Sequence, residues 1–322
     1  MREVVSLVQN SSRTARRRTW GARIQLELKK NAGLYLLALV PFLYLALFKY
    51  WPMYGVQIAF KDYSVSRSFL ESPWVGLKHI QRFMETPKFW QILKNTLLIS
   101  LYGMATFPLP ILLAMMLNYL PSARYRKTIQ MVSYAPHFIS TVVMVGIINQ
   151  FLDKNTGAIN LLIEALGGEP VNFLAKRELF YHVYQWTGVW QGIGYASIIY
   201  ISALSSVPAE LHEAAIVDGA GILRRIWHID IPCILPTVCI LLIMQCGGLL
   251  NVGYEKIFLM QNNLNLQASE VISTYVYKQG LTSSIPQYSY STAINLFVSI
   301  VNAVLLVLVN QISNRLSGNG LW

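Results

Sequence analysis

Six long apolar segments, separated by polar stretches, dominate the pattern along the chain. They lie at residues 33–51, 93–118, 129–152, 183–204, 234–252 and 293–312. Each approaches the length of about 20 helical residues that crosses the hydrocarbon core of a bilayer. Pro136 and His137 weaken the third segment, and Gly247 and Gly248 interrupt the fifth. The pattern predicts an all-α, polytopic membrane protein with six transmembrane helices.

Composition places most of the chain in lipid. Of its 322 residues, 54% are hydrophobic and 13% are charged, whereas a soluble domain carries about 25% charged residues. The net charge of +11 is concentrated in residues 1–32, where eight basic residues face only Glu3 and Glu27. Basic runs bind nucleic acid in some proteins, but beside a membrane span they indicate a cytoplasmic tail near membrane lipid. We therefore expect no nucleic-acid partner.

The distribution of Lys and Arg predicts the topology, because basic residues near span ends stay on the cytoplasmic side. The basic residues 1–32, the turn 119–128, which has no acid, and Arg315 near the C-terminus place both termini in the cytoplasm. We divide the chain into the tail 1–32 and a transmembrane domain, 33–322. Within that domain, loop 52–92 lies outside and is predicted to contain a helix resting on the membrane.

Several kinds of chemistry are missing from the sequence. The last five segments carry no central acid or base except His137, which we interpret as a polar side chain at a helix break. Ion-coupled secondary carriers usually need a buried ionisable group, so that class is a less favoured alternative. There is no GxxxxGK[ST] motif to hold ATP, and no His or Cys at the metal-ligand spacing of a membrane enzyme. We expect a non-catalytic chain that binds no cofactor or metal.

A polar, helix-forming stretch lies in loop 205–236, between two apolar segments. Pro208 suits the first position of a short helix, where its missing N–H costs nothing. Glu213 falls within the first two turns of that helix, near the N-terminal end where the helix dipole favours an acid. Gly219 is expected to end the helix. A second amphipathic stretch follows, and Pro232 is expected to stop it and begin the fifth segment.

This short helix is predicted to bind another protein. A helix resting on lipid headgroups would present Lys and Arg, but the stretch carries Glu210, Glu213 and Asp218 and neither basic type. Small residues such as Ala214 and Ala215 allow close entry into a groove, and Glu213 can pair with a cation there. Movement of the partner would then be transmitted to both adjoining segments.

The loop resembles the EAA loop of permease subunits in binding-protein-dependent ABC importers of the carbohydrate class. The matching residues are Glu213-Ala214-Ala215, Asp218-Gly219-Ala220, Ile229, Pro232 and Pro236. Two positions depart slightly from the family pattern: Trp227 stands where Phe is common, and Ile231 where Leu is common. Further stretches resemble the oligo- and polysaccharide branch: Tyr50–Gly55, Ala59–Tyr63, Trp74–Leu77, Tyr254–Leu259, Thr274–Tyr277, Tyr288–Tyr290 and Gly320–Trp322. The resemblance covers about residues 33–322 and favours importers of uronate-rich chains, of the alginate or aldouronate type.

The resemblance implies a type I ABC importer permease with a methionine-importer-like core, in the bacterial cytoplasmic (inner) membrane. It implies a sister permease, usually forming a heterodimer, two cytoplasmic ATPase subunits and an extracytoplasmic solute-binding protein. ATP and Mg would be bound by the partner ATPase, which contacts this chain through the loop at residues 205–236. The residues implied in that coupling are Glu213, Ala214, Ala215, Asp218, Gly219 and Ala220.

A sugar path needs aromatic faces beside hydrogen-bonding side chains, and two segments offer both. The candidates are Trp186, Trp190, Gln191 and Tyr195 on the fourth segment, and Gln245, Asn251 and Tyr254 near the fifth. Trp186 and Trp190 lie four residues apart and suit helix packing or the membrane interface equally well. The sequence predicts a path along these two segments and leaves the role of the tryptophans open.

Overall fold

The structure is a computed structural model that describes residues 29–318 and 320–322. Most of the predicted basic tail, residues 1–28, lies outside these described residues. Within them, an isolated antiparallel bridge joins Lys61 to Trp74, and the remaining regular structure is helical. The predicted all-α class is confirmed.

Helices follow one another along the described chain. We number them α1 Ala32–Phe60, α2 Lys78–Glu85, α3 Phe89–Asn118, α4 Ala123–Phe138, α5 Thr141–Phe151, α6 Ala158–Ala165, α7 Arg177–Ser205, α8 Ala209–Val217, α9 Ile222–Gly247, α10 Tyr254–Met260, α11 Leu266–Ser269, α12 Ile272–Tyr277 and α13 Tyr288–Ser317. By length and composition, α1, α3, α9 and α13 can each cross a membrane. The pairs α4–α5 and α7–α8 are each long and apolar enough to cross a membrane when the two helices are taken together. The helices are bent relative to each other by 99° in the first pair and by 73° in the second. Counting each bent pair as one span gives the predicted six.

The third predicted segment is two helices rather than one. Pro136 lies in a short 3₁₀ turn that ends α4, and the backbone becomes extended at Ile139. The Ile139 carbonyl accepts a hydrogen bond from Gln191 Nε2 at 3.0 Å, and Ser140 Oγ accepts one from the Val143 amide at 3.4 Å. Polar backbone freed at membrane depth must be satisfied by protein, and these two bonds do so.

The fifth predicted segment begins earlier than its apolar pattern indicates. The stop expected at Pro232 is absent, because α9 runs through that position unbroken. A π-helical turn, Ile226–Asp230, directly precedes the proline, and its last bond joins the Ile231 amide to the Ile226 carbonyl. Such a wide turn accommodates the proline ring and its missing N–H. The amphipathic stretch and the span are therefore one helix.

The described chain divides into two compact units, and the second begins at Ile58. The first unit holds most of α1, which continues to Phe60 rather than ending near residue 51 as predicted. In the second unit, one apolar cluster joins α3, α7 and α9 through Ala114, Met115, Tyr200, Leu204 and Ile234. Lipid solvates apolar side chains well, so close packing rather than the hydrophobic effect holds membrane helices together.

Candidate functional site: the α7–α9 elbow and an amide-lined cavity

The elbow consists of α8, the turns that flank it and the start of α9, residues 206–230. α8 leaves the end of α7 at 73°. Its first helical residue is Ala209, and Pro208 is the extended N-cap residue, with ψ 130°, rather than the first residue of the helix as predicted. The chain therefore turns sharply between a long helix and a short one.

The other end of α8 is closed by a glycine, as the sequence predicts. Gly219 has φ +75°, its amide bonds the Ile216 carbonyl at 3.0 Å, and the Ala220 amide bonds the Ala215 carbonyl at 2.8 Å. These two bonds form a Schellman motif, whose left-handed position glycine occupies without steric cost. The motif fixes the direction in which the chain leaves α8 for α9.

Most of the α8 surface faces outward. None of its residues is buried, and the apolar side chains of Ile216 and Val217 are 56% and 87% exposed. The six predicted coupling residues share this accessible surface: Glu213, Ala214, Asp218 and Gly219 are exposed, and Ala215 and Ala220 are half-buried. A surface of small and apolar residues with acids at its edge suits contact with another protein.

A buried acid at the base of the elbow escaped the sequence-based predictions. Asp230 is fully buried, and its Oδ2 accepts a hydrogen bond from the Tyr119 hydroxyl at 2.6 Å. Its Oδ1 lies 3.3 Å from His212 Nε2, an ion-pair separation when the imidazole is protonated, although the two are not aligned as a hydrogen bond. The Arg225 guanidinium lies 5.4 Å from the centroid of the Tyr119 ring. The sequence offers one indication of this site, because Asp230 is an acid between apolar residues in an amphipathic stretch.

A cavity of about 390 Å³ lies between α3, α7 and α9. Its polar lining includes Thr106, Gln185 and Gln245, and Gln185 Nε2 donates to Thr106 Oγ1 at 2.6 Å. Gly103 lies between the two glutamines, since a Cβ at this position would be 3.9 Å from each side-chain amide. Gly103 thus lies beside both side-chain amides at the cavity wall. A neighbouring cavity of about 220 Å³ shares these glutamines and adds Asn251.

Lys256 lies behind the walls of both cavities, next to lining residues of each. Its Nζ donates to the Tyr184 carbonyl at 3.0 Å and lies 4.9 Å from the centroid of the Tyr184 ring. Tyr184 lines the smaller cavity and Gly188 the larger, and a Cβ on Gly188 would lie 3.4 Å from the Lys256 Nζ. Burial lowers the pKa of Lys256 to about 8. A positive charge thus lies one layer of residues behind both cavities.

Two of the seven predicted path residues, Gln245 and Asn251, line these cavities. The residue of α7 beside them is Gln185, which the sequence analysis missed, rather than its neighbour Trp186. Trp186 and Trp190 do not line either cavity, and they are 53% and 51% exposed. Their part in a path stays a prediction.

The other three predicted path residues have partners inside the chain. Gln191 bonds the backbone at the α4–α5 break, and Tyr195 stacks on His137 with ring centroids 3.8 Å apart. His137 lies at the helix break, as predicted, and its ring stacks on Tyr195; that its polar atoms are satisfied there stays a prediction. Tyr254 stacks on Tyr277 with ring centroids 5.1 Å apart. None of the three is brought into the cavities described above.

Comparison with known proteins links this geometry to a family. The profile described as "Binding-protein-dependent transport system inner membrane component" matches residues 106–318. Protein LplB of Bacillus subtilis (strain 168) is 42% identical over 296 residues, covering 92% of each chain. The polygalacturonan/rhamnogalacturonan transport system permease protein YteP of the same organism is 40% identical over 301 residues, covering 93% of each. A chain in the crystal structure of a bacterial ABC transporter involved in the import of the acidic polysaccharide alginate has a TM-score of 0.84 and 36% identity, covering 92% of this chain and 99% of that one.

Proposed function

The chain belongs to the family of binding-protein-dependent transport system inner membrane components, and from this we propose that it is the permease subunit of an ATP-driven importer of acidic oligo- or polysaccharides. The observation that supports the proposal is that α7 and α9, the two helices that the exposed elbow joins, also form walls of the amide-lined cavity. Because the elbow is continuous with both helices, a force on it moves the cavity walls.

We infer that the elbow seats a cytoplasmic ATPase subunit, which binds ATP and Mg. The exposed carboxylate of Glu213 is available to a cation of that subunit, and the exposed Val217 to an apolar groove. In this arrangement the elbow and both chain termini face the cytoplasm. A sister permease completes the transport path, and a solute-binding protein delivers the sugar at the opposite face.

The cavity chemistry supports an acidic sugar as the substrate. Side-chain amides such as those of Gln185 and Gln245 both donate and accept hydrogen bonds, as sugar hydroxyls require. The Lys256 ammonium is a compact charge that suits a carboxylate. The names of YteP and of the alginate transporter, both similar to this chain over more than nine-tenths of its length, support the same substrate class.

The test is ATP hydrolysis and sugar uptake in proteoliposomes that contain this chain, its sister permease and the ATPase. A binding protein loaded with an acidic oligosaccharide should stimulate hydrolysis, and Glu213→Ala should abolish the stimulation while the chain still inserts. Glu178→Ala removes an exposed acid from the opposite end of α7 and should behave as wild type.

Other outcomes would assign a different function. A chain that retains no ATPase, with Glu213→Ala transporting as wild type, would contradict the importer proposal. Uptake that needs a proton or sodium gradient instead of ATP would establish an ion-coupled secondary carrier, which neither the family membership nor the cavity lining favours. Stimulation by neutral oligosaccharides alone would agree with the importer proposal but contradict an acidic sugar as the substrate.

A further inference from the structure

Three elements meet at Asp230. Tyr119 directly follows the end of α3, His212 lies on α8, and Asp230 lies in the π-helical turn of α9. The bond from Tyr119 joins residues that are 111 positions apart in the chain. The carboxylate therefore connects the elbow helix to the ends of two helices that line the cavity.

Asp230 has one hydrogen bond, at Oδ2, and one ion-pair contact, at Oδ1, in place of the water that burial removes. A carboxylate without solvent is stable only when hydrogen bonds and opposite charges replace the lost water. Burial and the carboxylate acceptor raise the pKa of Tyr119, so its hydroxyl keeps the proton that it donates. His212 Nε2, at 3.3 Å, is the second partner. Without Tyr119, Oδ2 would be buried and without its hydrogen bond, and without His212, Oδ1 would lose its ion-pair contact while it stayed buried.

α8 has few other attachments to the rest of the chain. Of its nine residues none is buried, and only His212 and Ala215 are half-buried. The His212 and Tyr119 rings are also in a T-shaped arrangement, with centroids 6.5 Å apart and planes at 80°. His212 is thus the side chain through which α8 makes its polar contact with the ends of α3 and α9.

We propose that Tyr119, Asp230 and His212 form a polar latch that makes α3 and α9 follow the movements of α8. The inference rests on the proposed coupling to an ATPase. When the ATPase shifts α8, His212 pulls on Asp230, because separation would remove the ion-pair contact of a buried carboxylate oxygen. The pull reaches the cavity through Gly103 on α3 and Gln245 on α9, both of which line it. The three latch residues are positioning residues and do not touch the sugar.

The first experiment removes a single oxygen atom from the latch. Tyr119→Phe is compared with Tyr125→Phe, which removes the same atom from a tyrosine of α4 that is 71% exposed. Both variants should assemble with the ATPase and hydrolyse ATP at the basal rate. In Tyr119→Phe, the stimulation by loaded binding protein should fall about tenfold, the size expected from one lost hydrogen bond to a charged group. Tyr125→Phe should be stimulated as wild type.

A second set of variants separates coupling from folding. His212→Leu should lose the stimulation, whereas His212→Lys, which carries a positive charge, should recover most of it. Tyr119→Phe combined with His212→Leu should be no worse than the more affected single variant, because residues that act as one unit are not additive. This rescue and this non-additivity are readouts that a merely structural role would not produce.

The outcomes distinguish the latch from the function on which it rests. Wild-type stimulation in both Tyr119→Phe and His212→Leu would overturn the latch and leave the importer standing. Equal losses of assembly, basal hydrolysis and thermal stability would show that the cluster only supports folding, and would also overturn it. A wild-type complex without any stimulation would overturn the importer proposal and the latch together.

Discussion

Gly194 on α7 packs directly against the backbone carbonyl of Ser133 on α4. A Cβ built on Gly194 would lie less than 3.0 Å from both the carbonyl oxygen and the Cβ of Ser133. Two positions earlier on α7, Gly192 has open space where its Cβ would be. The missing side chain at Gly194 therefore sets the distance between α4 and α7, and α7 is one wall of the larger cavity.

Gly194→Ala should destabilise the protein, and Gly192→Ala should not. The added methyl at Gly194 meets backbone that cannot rotate away, and such overpacking costs about 1–3 kcal/mol. At Gly192 the methyl has room, and alanine is the better helix former by about 1 kcal/mol. Thermal unfolding in detergent measures both variants. Equal stabilities would show that α4 and α7 are not in close contact.

Gly219→Ala should weaken the elbow through its backbone. A φ of +75° costs a residue with a Cβ about 1–2 kcal/mol, so the turn after α8 should loosen and stimulated ATP hydrolysis should fall. Gly221→Ala is the matched control, because Gly221 has φ −68° and no atom within 4 Å of its Cβ position. If both variants couple like wild type, the Schellman turn is not needed for transmission.

Gln185→Leu and Gln245→Leu should each slow sugar uptake about tenfold, which corresponds to one lost hydrogen bond. The complex should still assemble, because both side chains lie on the cavity wall. Gln191→Leu is the comparison, since the Gln191 amide bonds backbone at the α4–α5 break instead. Radiolabelled uptake at a fixed concentration of loaded binding protein gives the rates. A larger uptake defect in Trp186→Leu or Trp190→Leu would move the path to the face of α7 predicted from the sequence.

Uptake of an acidic sugar should decline as the pH rises through about 8. Burial lowers the pKa of Lys256 to about 8, so the ammonium loses its proton within that range. Lys256→Arg keeps its charge and should flatten the profile, while Lys256→Met should reduce uptake at every pH. Uptake at several pH values, with a neutral oligosaccharide as control, provides the measurement. A wild-type profile that stays flat would remove Lys256 from substrate recognition.

The lowered pKa of Lys256 also makes the stability of the folded protein depend on pH in a defined direction. The folded pKa of Lys256 lies below the 10.5 of an unperturbed lysine, so charging this residue opposes folding. The destabilisation is fully present below about pH 8 and disappears as the pH rises towards 10.5, because the unfolded chain then binds more protons than the folded one. Lys256→Met should therefore stabilise the protein at neutral pH even as it impairs uptake.

The sequence predicted which segments enter the membrane, but not which side of each helix contacts the neighbouring helices. Neighbouring residues of a helix point about 100° apart, so Gln185 and Trp186 belong to different faces of α7. Both faces carry polar and aromatic residues, and periodicity alone does not identify the face that meets α3. Packing decides it, and packing places Gln185 in the cavity.

In the elbow, too, features set by neighbouring residues were predicted, and features set by residues far apart in the chain were not. Gly219 was predicted as a helix stop because its effect is confined to one turn of backbone. The Asp230 cluster was not predicted, because Tyr119 and Asp230 are 111 residues apart and no spacing rule brings them together. Pro232 was misread for a related reason, since the π-helical turn that accommodates it forms within the packed helix.

The break between α4 and α5 imposes an order on biogenesis. The amide that satisfies the Ile139 carbonyl belongs to Gln191, which the ribosome adds 52 residues later. The kinked third span therefore enters the membrane with an unsatisfied carbonyl, a state that hydrocarbon does not tolerate. The carbonyl has no such partner until α7 has been synthesised and packs against the break. The third span is thus completed only after the fourth has been made, and we expect a chain truncated before Gln191 to leave this region less stable than in the full chain.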